Sequence, residues 1–242
     1  MIVDITNTIG RHLVKPDIHA GDLVRQMDQA GVDKAVVHTY AESLDNDSVA
    51  QAILDYPDRL IGLYTIHPWF PPQAEDFVNA VQKQGFRGLY MDPIRQGFSL
   101  GERAVFYPWL ELAEKLEVPL MCMSAAEVFS SPVFFAQMAE NFPKLNIIME
   151  RMGLQYDNAS AVQIVKKYSN VYTETSASMD FNAIRTIKAA GAHKVLLGSG
   201  TPHAGVFELE IKKVINATKD IPGGQEQVLY KNALKLFKIN EG

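Results

Sequence analysis

Short apolar runs alternate with longer amphipathic stretches along nearly the whole chain. The runs Ile2–Thr6, Lys34–Thr39, Leu60–Ile66, Phe86–Met91, Val118–Met123, Leu145–Glu150, Asn170–Thr175 and Lys194–Ser199 are rich in aliphatic residues, and most are continuously apolar, as strands covered on both faces must be. Between them the apolar positions recur at helical spacing. Asp22-Leu23-Val24-Arg25-Gln26-Met27 begins one helix that stops at Gly31, a residue suited to a left-handed C-cap, and Gly85 and Gly191 repeat that stop. Pro71-Pro72 opens a third helix where proline's missing N–H costs nothing, while Tyr56-Pro57 and Asn141-Phe142-Pro143 close two others. Eight βα units in 242 residues predict an α/β fold of the closed (β/α)8 TIM-barrel type, one domain over residues 1–242. No Gly-x-Gly-x-x-Gly follows the first run and no Ser/Gly-rich or low-complexity tract divides the chain, which argues against a dinucleotide site and against a linker.

Composition narrows the chemistry. With 23 Lys+Arg against 28 Asp+Glu, a formal charge of −5 and no basic run, nothing offers the positive stripe that nucleic acid needs. The single cysteine, Cys122, excludes an internal disulfide and every multi-cysteine metal site; between Met121 and Met123 it reads as a small core hydrophobe. Histidine and carboxylate are left as metal ligands, and there are six histidines. The N-terminus enters a strand pattern directly and no apolar run reaches the roughly 18 residues that span a bilayer, so the expectation is a cytoplasmic protein without membrane contact.

In a TIM barrel the chemistry sits at the C-terminal strand ends. Asp4, Thr6 and Thr8 share one phase of the first strand, so a period of two points all three into the barrel; a buried Asp4 needs a partner, for which Arg151 is the natural candidate. His38 ends the second run. His67 follows the third, beside Trp69, as a general base or as a loop histidine bonded to backbone. Asp92, next to Arg95, is a base, a substrate anchor or a turn residue before Pro93. His203 either meets substrate or caps the next helix. Met121, Met123 and Met149 are expected to line the interior. His12 and His19 lie on the first loop, as lid residues or in solvent, and His193 precedes the eighth strand on the opposite face. Trp109 and Tyr107 close over a ligand, cover a subunit contact or belong to the core.

Several strand ends together resemble a known family. Met1-Ile2-Val3-Asp4-Ile5-Thr6-Asn7-Thr8-Ile9-Gly10, Gly88-Leu89-Tyr90-Met91-Asp92-Pro93 with Gln96-Gly97-Phe98, Val118 to Ser124, Ile147-Ile148-Met149-Glu150-Arg151-Met152-Gly153, Asn170 to Ser176, Leu196-Leu197-Gly198-Ser199-Gly200-Thr201-Pro202-His203, and Asn232-Ala233 with Leu236-Phe237 are similar, in order, to segments of the amidohydrolase superfamily, in its amidohydrolase-related (type 2) branch. The resemblance implies the same barrel and metal-dependent hydrolysis. It also places the family's metal ligands at Thr6, Thr8, Met123, Arg151 and Gly200, none of which replaces an imidazole or carboxylate on zinc. A relocated metal site would have to draw on His38, His67 and His203 with Asp92 or Glu174. The expectation is therefore no cofactor.

Two readings of function follow. In the first, the chain is a metal-independent hydrolase or lyase for a small carboxylated or lactone-type substrate. Arg151 clamps a carboxylate or oxyanion, and His67, Asp92, His38 and His203 handle protons. Asp4, Thr6, Thr8, Tyr90, Met123, Glu174 and Trp69 contact the substrate. Tyr90, where the family often holds lysine, hydrogen-bonds a ligand or packs as a barrel aromatic. Arg151 equally fits an internal ion pair with Asp4, Glu150, Glu174 or Asp92. In the second reading the chain is a catalytically inactive relative that binds a small ligand or a protein partner through the same mouth. The expected ligand is small and anionic, and a homodimer is the base-rate oligomer.

Overall fold

In a computed structural model, which describes residues 1–70, 73–125, 128–154 and 156–240, each apolar run contributes a strand to one parallel ladder. The strands are β1 (Val3–Ile9), β2 (Lys34–Thr39), β3 (Leu60–Gly62, resuming at Tyr64–Thr65), β4 (Leu89–Met91), β5 (Leu120–Met123), β6 (Ile147–Glu150), β7 (Val171–Glu174) and β8 (Val195–Leu196). Neighbours pair in chain order. At the break in β3 the ladder passes through Leu63, whose N–H donates to Val37 O at 2.8 Å, while Tyr64 N–H donates to Gly88 O at 2.9 Å. Closure comes from Ile5 N–H to Leu197 O and Gly200 N–H to Thr6 O, both 2.9 Å. Several strands begin later than the apolar pattern does. Phe86 and Leu145 are spent on packing against the helices before the ladder forms.

Outside the strands run α1 (Ala20–Ala30), α2 (Asn46–Asp55), α3 (Gln73–Lys83), the short α4 (Pro93–Gln96), α5 (Arg103–Lys115), α6 (Val133–Asn141), α7 (Asn158–Lys167), α8 (Asp180–Ala190) and α9 (Phe207–Thr218). Gly31, at φ 72°, caps α1 in the left-handed region as expected. The expected Pro71-Pro72 helix start lies outside the described residues.

Alternation along the strands separates two cores. Val3, Ile5, Val36, Ile61, Leu63, Tyr90, Met121, Ile148, Tyr172 and Leu196 fill the barrel, and Leu234, Leu236 and Phe237 of the C-terminal helical segment close its floor. Val37, Leu89, Cys122, Ile147, Met149, Val171 and Val195 face the helices instead. Met149 was expected inside; it is one residue out of phase with Ile148 and packs outward.

The first strand departs from simple alternation. Asp4 pairs with Ala35 and Asn7 with Val37, three residues against two, so a bulge lies between them. Its effect is to reverse parity. Asp4 and Asn7 sit opposite Ala35 and Val37, both on the helix-facing side, whereas Thr6 and Thr8 line the mouth of the barrel. The expected common phase of Asp4, Thr6 and Thr8 is thus corrected. Asp4 finds its partners behind the strand: Oδ1 accepts from Thr6 N at 3.0 Å and Asn7 Nδ2 at 2.9 Å, and burial pushes its carboxyl up to about 7. It does not pair with Arg151.

Candidate active site

Over the C-terminal strand ends lies a cavity of about 40 Å³. Thr6 and Thr8 from β1, His38 from the end of β2, Tyr90 and Asp92 from β4 and its exit, Glu150 and Arg151 from the end of β6, and Gly200 and His203 after β8 surround it. Five separate segments therefore converge, as the barrel geometry requires.

Arg151 and Glu150 form its charged centre. Arg151 Nε donates to Glu150 Oε1 at 3.1 Å, with the arginine side chain 26% exposed and the glutamate 1%. The second Glu150 oxygen accepts the Tyr90 hydroxyl at 3.1 Å. Burial works against the guanidinium's charge, but Glu150, Tyr90, Glu174 and Asp92 hold its pKa above the ordinary value. Among the described residues Nη1 and Nη2 have no protein acceptor, so the fork is free toward the cavity. The backbone here is unusual: Arg151, Met152, Gly153 and Leu154 have φ of 64°, 50°, 74° and 56°. Left-handed geometry costs about 1–2 kcal/mol for each residue with a Cβ and persists only where neighbours enforce it.

His38 faces the same space. Its ring stacks on Tyr90 with centroids 3.7 Å apart. Nδ1 donates to Thr39 O at 2.9 Å, which leaves Nε2 as a buried lone pair with no partner. Burial lowers its pKa, so the ring is a neutral acceptor at pH 7. Asp92 both lines the cavity and caps α4, with Oδ1 accepting from Ile94 N and Arg95 N at 3.1 Å each. Burial and the neighbouring Glu150 raise its carboxyl to about 6.

A second line of groups closes the rim. The Tyr40 hydroxyl is hydrogen-bonded to His203 Nε2. His12 meets the Tyr40 ring edge-on at 4.4 Å, and its Nδ1 accepts from Val14 N and Lys15 N; contrary to the solvent alternative, His12 is buried. Glu42 lies 3.7 Å from His12 Nε2 and accepts from Arg95 Nη1 at 2.9 Å. Tyr40, Arg95 and Glu42 were not anticipated. Tyr40 had a readable signal, since it extends the same strand end as His38; Arg95 and Glu42 had none, because loop direction has no period.

Four expected contacts are placed elsewhere. His67 lies off the cavity, its ring against Phe70 at 4.9 Å and its N–H donating to Gln73 Oε1. Trp69, 50% exposed, lines a separate apolar groove with Trp109 and Pro108 between α3 and α5. Met123 is buried at the end of β5, outside the cavity lining. Glu174 is fully buried and bonded internally: Oε1 accepts from Arg151 N at 2.5 Å and from Ser176 Oγ at 2.8 Å, and Oε2 from Ser176 N at 2.5 Å.

The amidohydrolase family model matches residues 10–239. The chain belongs to the amidohydrolase family. No curated protein matches its sequence, but the fold is shared widely with solved structures. A probable 2-pyrone-4,6-dicarboxylic acid hydrolase from Acinetobacter baumannii, with citric acid bound, is 17% identical over 98% of this chain and 99% of its own, with a TM-score of 0.76. A 5-carboxyvanillate decarboxylase from Novosphingobium aromaticivorans, with manganese and a nitrobenzoic acid ligand, is 17% identical over 98% and 97%, TM-score 0.78. A dihydroxybenzoic acid decarboxylase from Polaromonas sp. JS666, with manganese and 2-nitroresorcinol, is 17% identical over 100% and 98%, TM-score 0.77.

The manganese in these two amidohydrolase folds overturns the expectation that no cofactor belongs to this one. The mouth as built does not match such an ion. Among the described residues no three His, Cys, Asp or Glu side chains are arranged to hold a metal, and a relocated site fails because His67 and Glu174 do not line the cavity. Arg151, a permanent cation, lines the cavity where the resemblance puts a ligand. No helix among the described residues is long and apolar enough to cross a membrane.

Proposed function

We propose that the barrel mouth binds a small carboxylated substrate and turns it over by hydrolysis of a lactone-type bond or by lyase chemistry. The observation that carries this reading is the Arg151 guanidinium, anchored through Nε on buried Glu150 with its Nη fork free toward the cavity. A planar fork suits a carboxylate or an oxyanion and resists deprotonation. His38 Nε2, an unpartnered acceptor on the same cavity, takes the proton from an attacking water or a substrate hydroxyl. Asp92, with a carboxyl near 6, is suited to return it. Thr6 and Thr8 supply hydroxyls on the facing wall. The fold relatives whose names specify a dicarboxylic acid hydrolase and carboxylate-removing enzymes support the substrate class.

The test is a turnover screen of carboxylated lactones and hydroxybenzoates by wild type and Arg151→Ala. Loss of one oxyanion-stabilising group costs about 100- to 1,000-fold in kcat; equal turnover by the two proteins would remove Arg151 from the reaction. A second reading is binding without turnover, which the same free Nη fork would serve. A cavity that takes up benzene measures about 150 Å³, far above the 40 Å³ here, so a ring enters only when the rim parts. No turnover from wild type, together with a carboxylate that raises its Tm, would establish that reading.

A further inference from the structure

Beyond Met149 and Thr173 the β6–β7 ladder stops, and the next tie between the two segments is a side chain. Glu174 Oε1 takes the Arg151 N–H, and Ser176 supplies the remaining donors to that carboxylate. The strained turn's other bonds run forward into its own continuation, Leu154 N–H to Arg151 O at 2.7 Å and Asn158 Nδ2 to Met152 O at 3.3 Å. The β5–β6 ladder ends one residue earlier, at the Met123–Glu150 pair, and Glu174 is what ties Arg151's own N–H to the barrel wall. The fold also reserves room for it. A Cβ on Gly198 would stand 2.0 Å from Glu174 Oε2 and 2.5 Å from Thr6 Oγ1, so any side chain there would displace the carboxylate from its present place.

We infer that Glu174 is the positioning residue for Arg151: its carboxylate fixes the left-handed backbone of Arg151 and so aims the guanidinium into the mouth. Glu150 holds Nε, and together the two carboxylates set both ends of the side chain. A substrate contact for Glu174 is ruled out by geometry, since the side chain is fully buried, lies off the cavity and has both oxygens engaged. A filler role is also disfavoured, because burying a carboxylate is costly and an apolar residue would fill the space without needing three donors. The consequence for carboxylate binding rests on the proposed function; the tie itself does not.

The experiment is a double-mutant cycle, Glu174→Ala against Arg151→Ala, read by citrate binding in calorimetry and by amide exchange of Arg151 in 15N-labelled protein. Glu174→Ala is expected to weaken citrate at least tenfold, and the double variant to bind no more weakly than Arg151→Ala alone. Arg151's amide should exchange at least 100-fold faster while the β2 amides Val36 and Val37 stay protected, and Glu174→Gln, which keeps an acceptor, should restore most of both readouts. Losses that multiply in the double variant, or an Arg151 amide as protected without Glu174 as with it, would overturn the inference. Should the alanine variant fail to fold, Glu174→Leu occupies the same space without an acceptor and gives the same reading. If wild type binds no carboxylate, the proposed function falls, and the exchange measurement still decides what Glu174 does.

Discussion

The lower and upper halves of the barrel are built on opposite principles. Below, Val3, Val36, Ile61, Met121, Ile148 and Leu196 meet Phe237 and Leu236 in an apolar stack, whose one charged neighbour among the described buried residues is the Lys194 ammonium over the Tyr172 ring. Above, within the same ring of strands, Glu150, Arg151, Glu174, His38 and Asp92 are buried or nearly so. The lower half is held by burial that any well-shaped apolar residue can provide. The upper half is held by specific pairings, and its members are individually expensive unless each partner is present. Stability and site are therefore separable along the barrel axis, and substitutions can test how cleanly.

The largest effect is expected in the floor. Phe237→Ala should cost about 4 kcal/mol by cavity formation, roughly 10 °C in Tm for a chain of this size, with citrate affinity unchanged within twofold by calorimetry; a large loss of affinity would show that the two halves are coupled. Next comes the mouth. Arg151→Ala leaves Glu150, 1% exposed, with only the Tyr90 hydroxyl, and should cost about 3 kcal/mol in urea unfolding along with carboxylate binding. If stability falls and binding survives, Arg151 is only an internal counter-ion.

A smaller effect concerns pH. Asp92 has a carboxyl raised from 3.8 to about 6, so between those values the folded chain binds the proton that the unfolded chain releases. Stability then decreases as pH rises through that window, on the order of 2 kcal/mol, and is regained on acidification. Asp92→Asn, which keeps the capping oxygen, should flatten that part of the unfolding profile between pH 4 and 6; an unchanged slope would assign the titration elsewhere. Acidification should also strengthen carboxylate binding, because the mouth sheds a negative charge. The smallest change is at the rim. Tyr40→Phe removes the His203 hydrogen bond and should lower stability by about 1 kcal/mol while changing the on-rate of citrate; an unchanged on-rate and affinity would detach the rim from ligand entry.

The lower half was the more legible in sequence, for the same reason that it is the more tolerant. Continuous apolar runs and glycine stops need only be roughly right to specify eight βα units, and β2 was located to the residue. In the upper half the strand ends of a barrel, and for Tyr90 and Arg151 the family resemblance, singled out His38, Tyr90, Asp92 and Arg151, all four of which line the cavity. Met149, expected inside, packs outward one residue out of phase with Ile148, and the period of two failed for Asp4, where an inserted residue leaves no mark on composition. Trp69 and His67 were misjudged because proximity to a strand end in sequence does not fix the direction in which a loop departs.

The bulge in β1 has a consequence for anyone who would exchange parts among these barrels. Residues before it and after it count on opposite parities, so the strand behaves as two rulers joined half a division out of step. Without the extra residue Asp4, Thr6 and Thr8 would return to one phase, so a chimera that kept the threonines at the mouth would turn the aspartate toward the axis with them. The portable unit is therefore Asp4 through Asn7 with its extra residue, and a crossover point has to lie outside it.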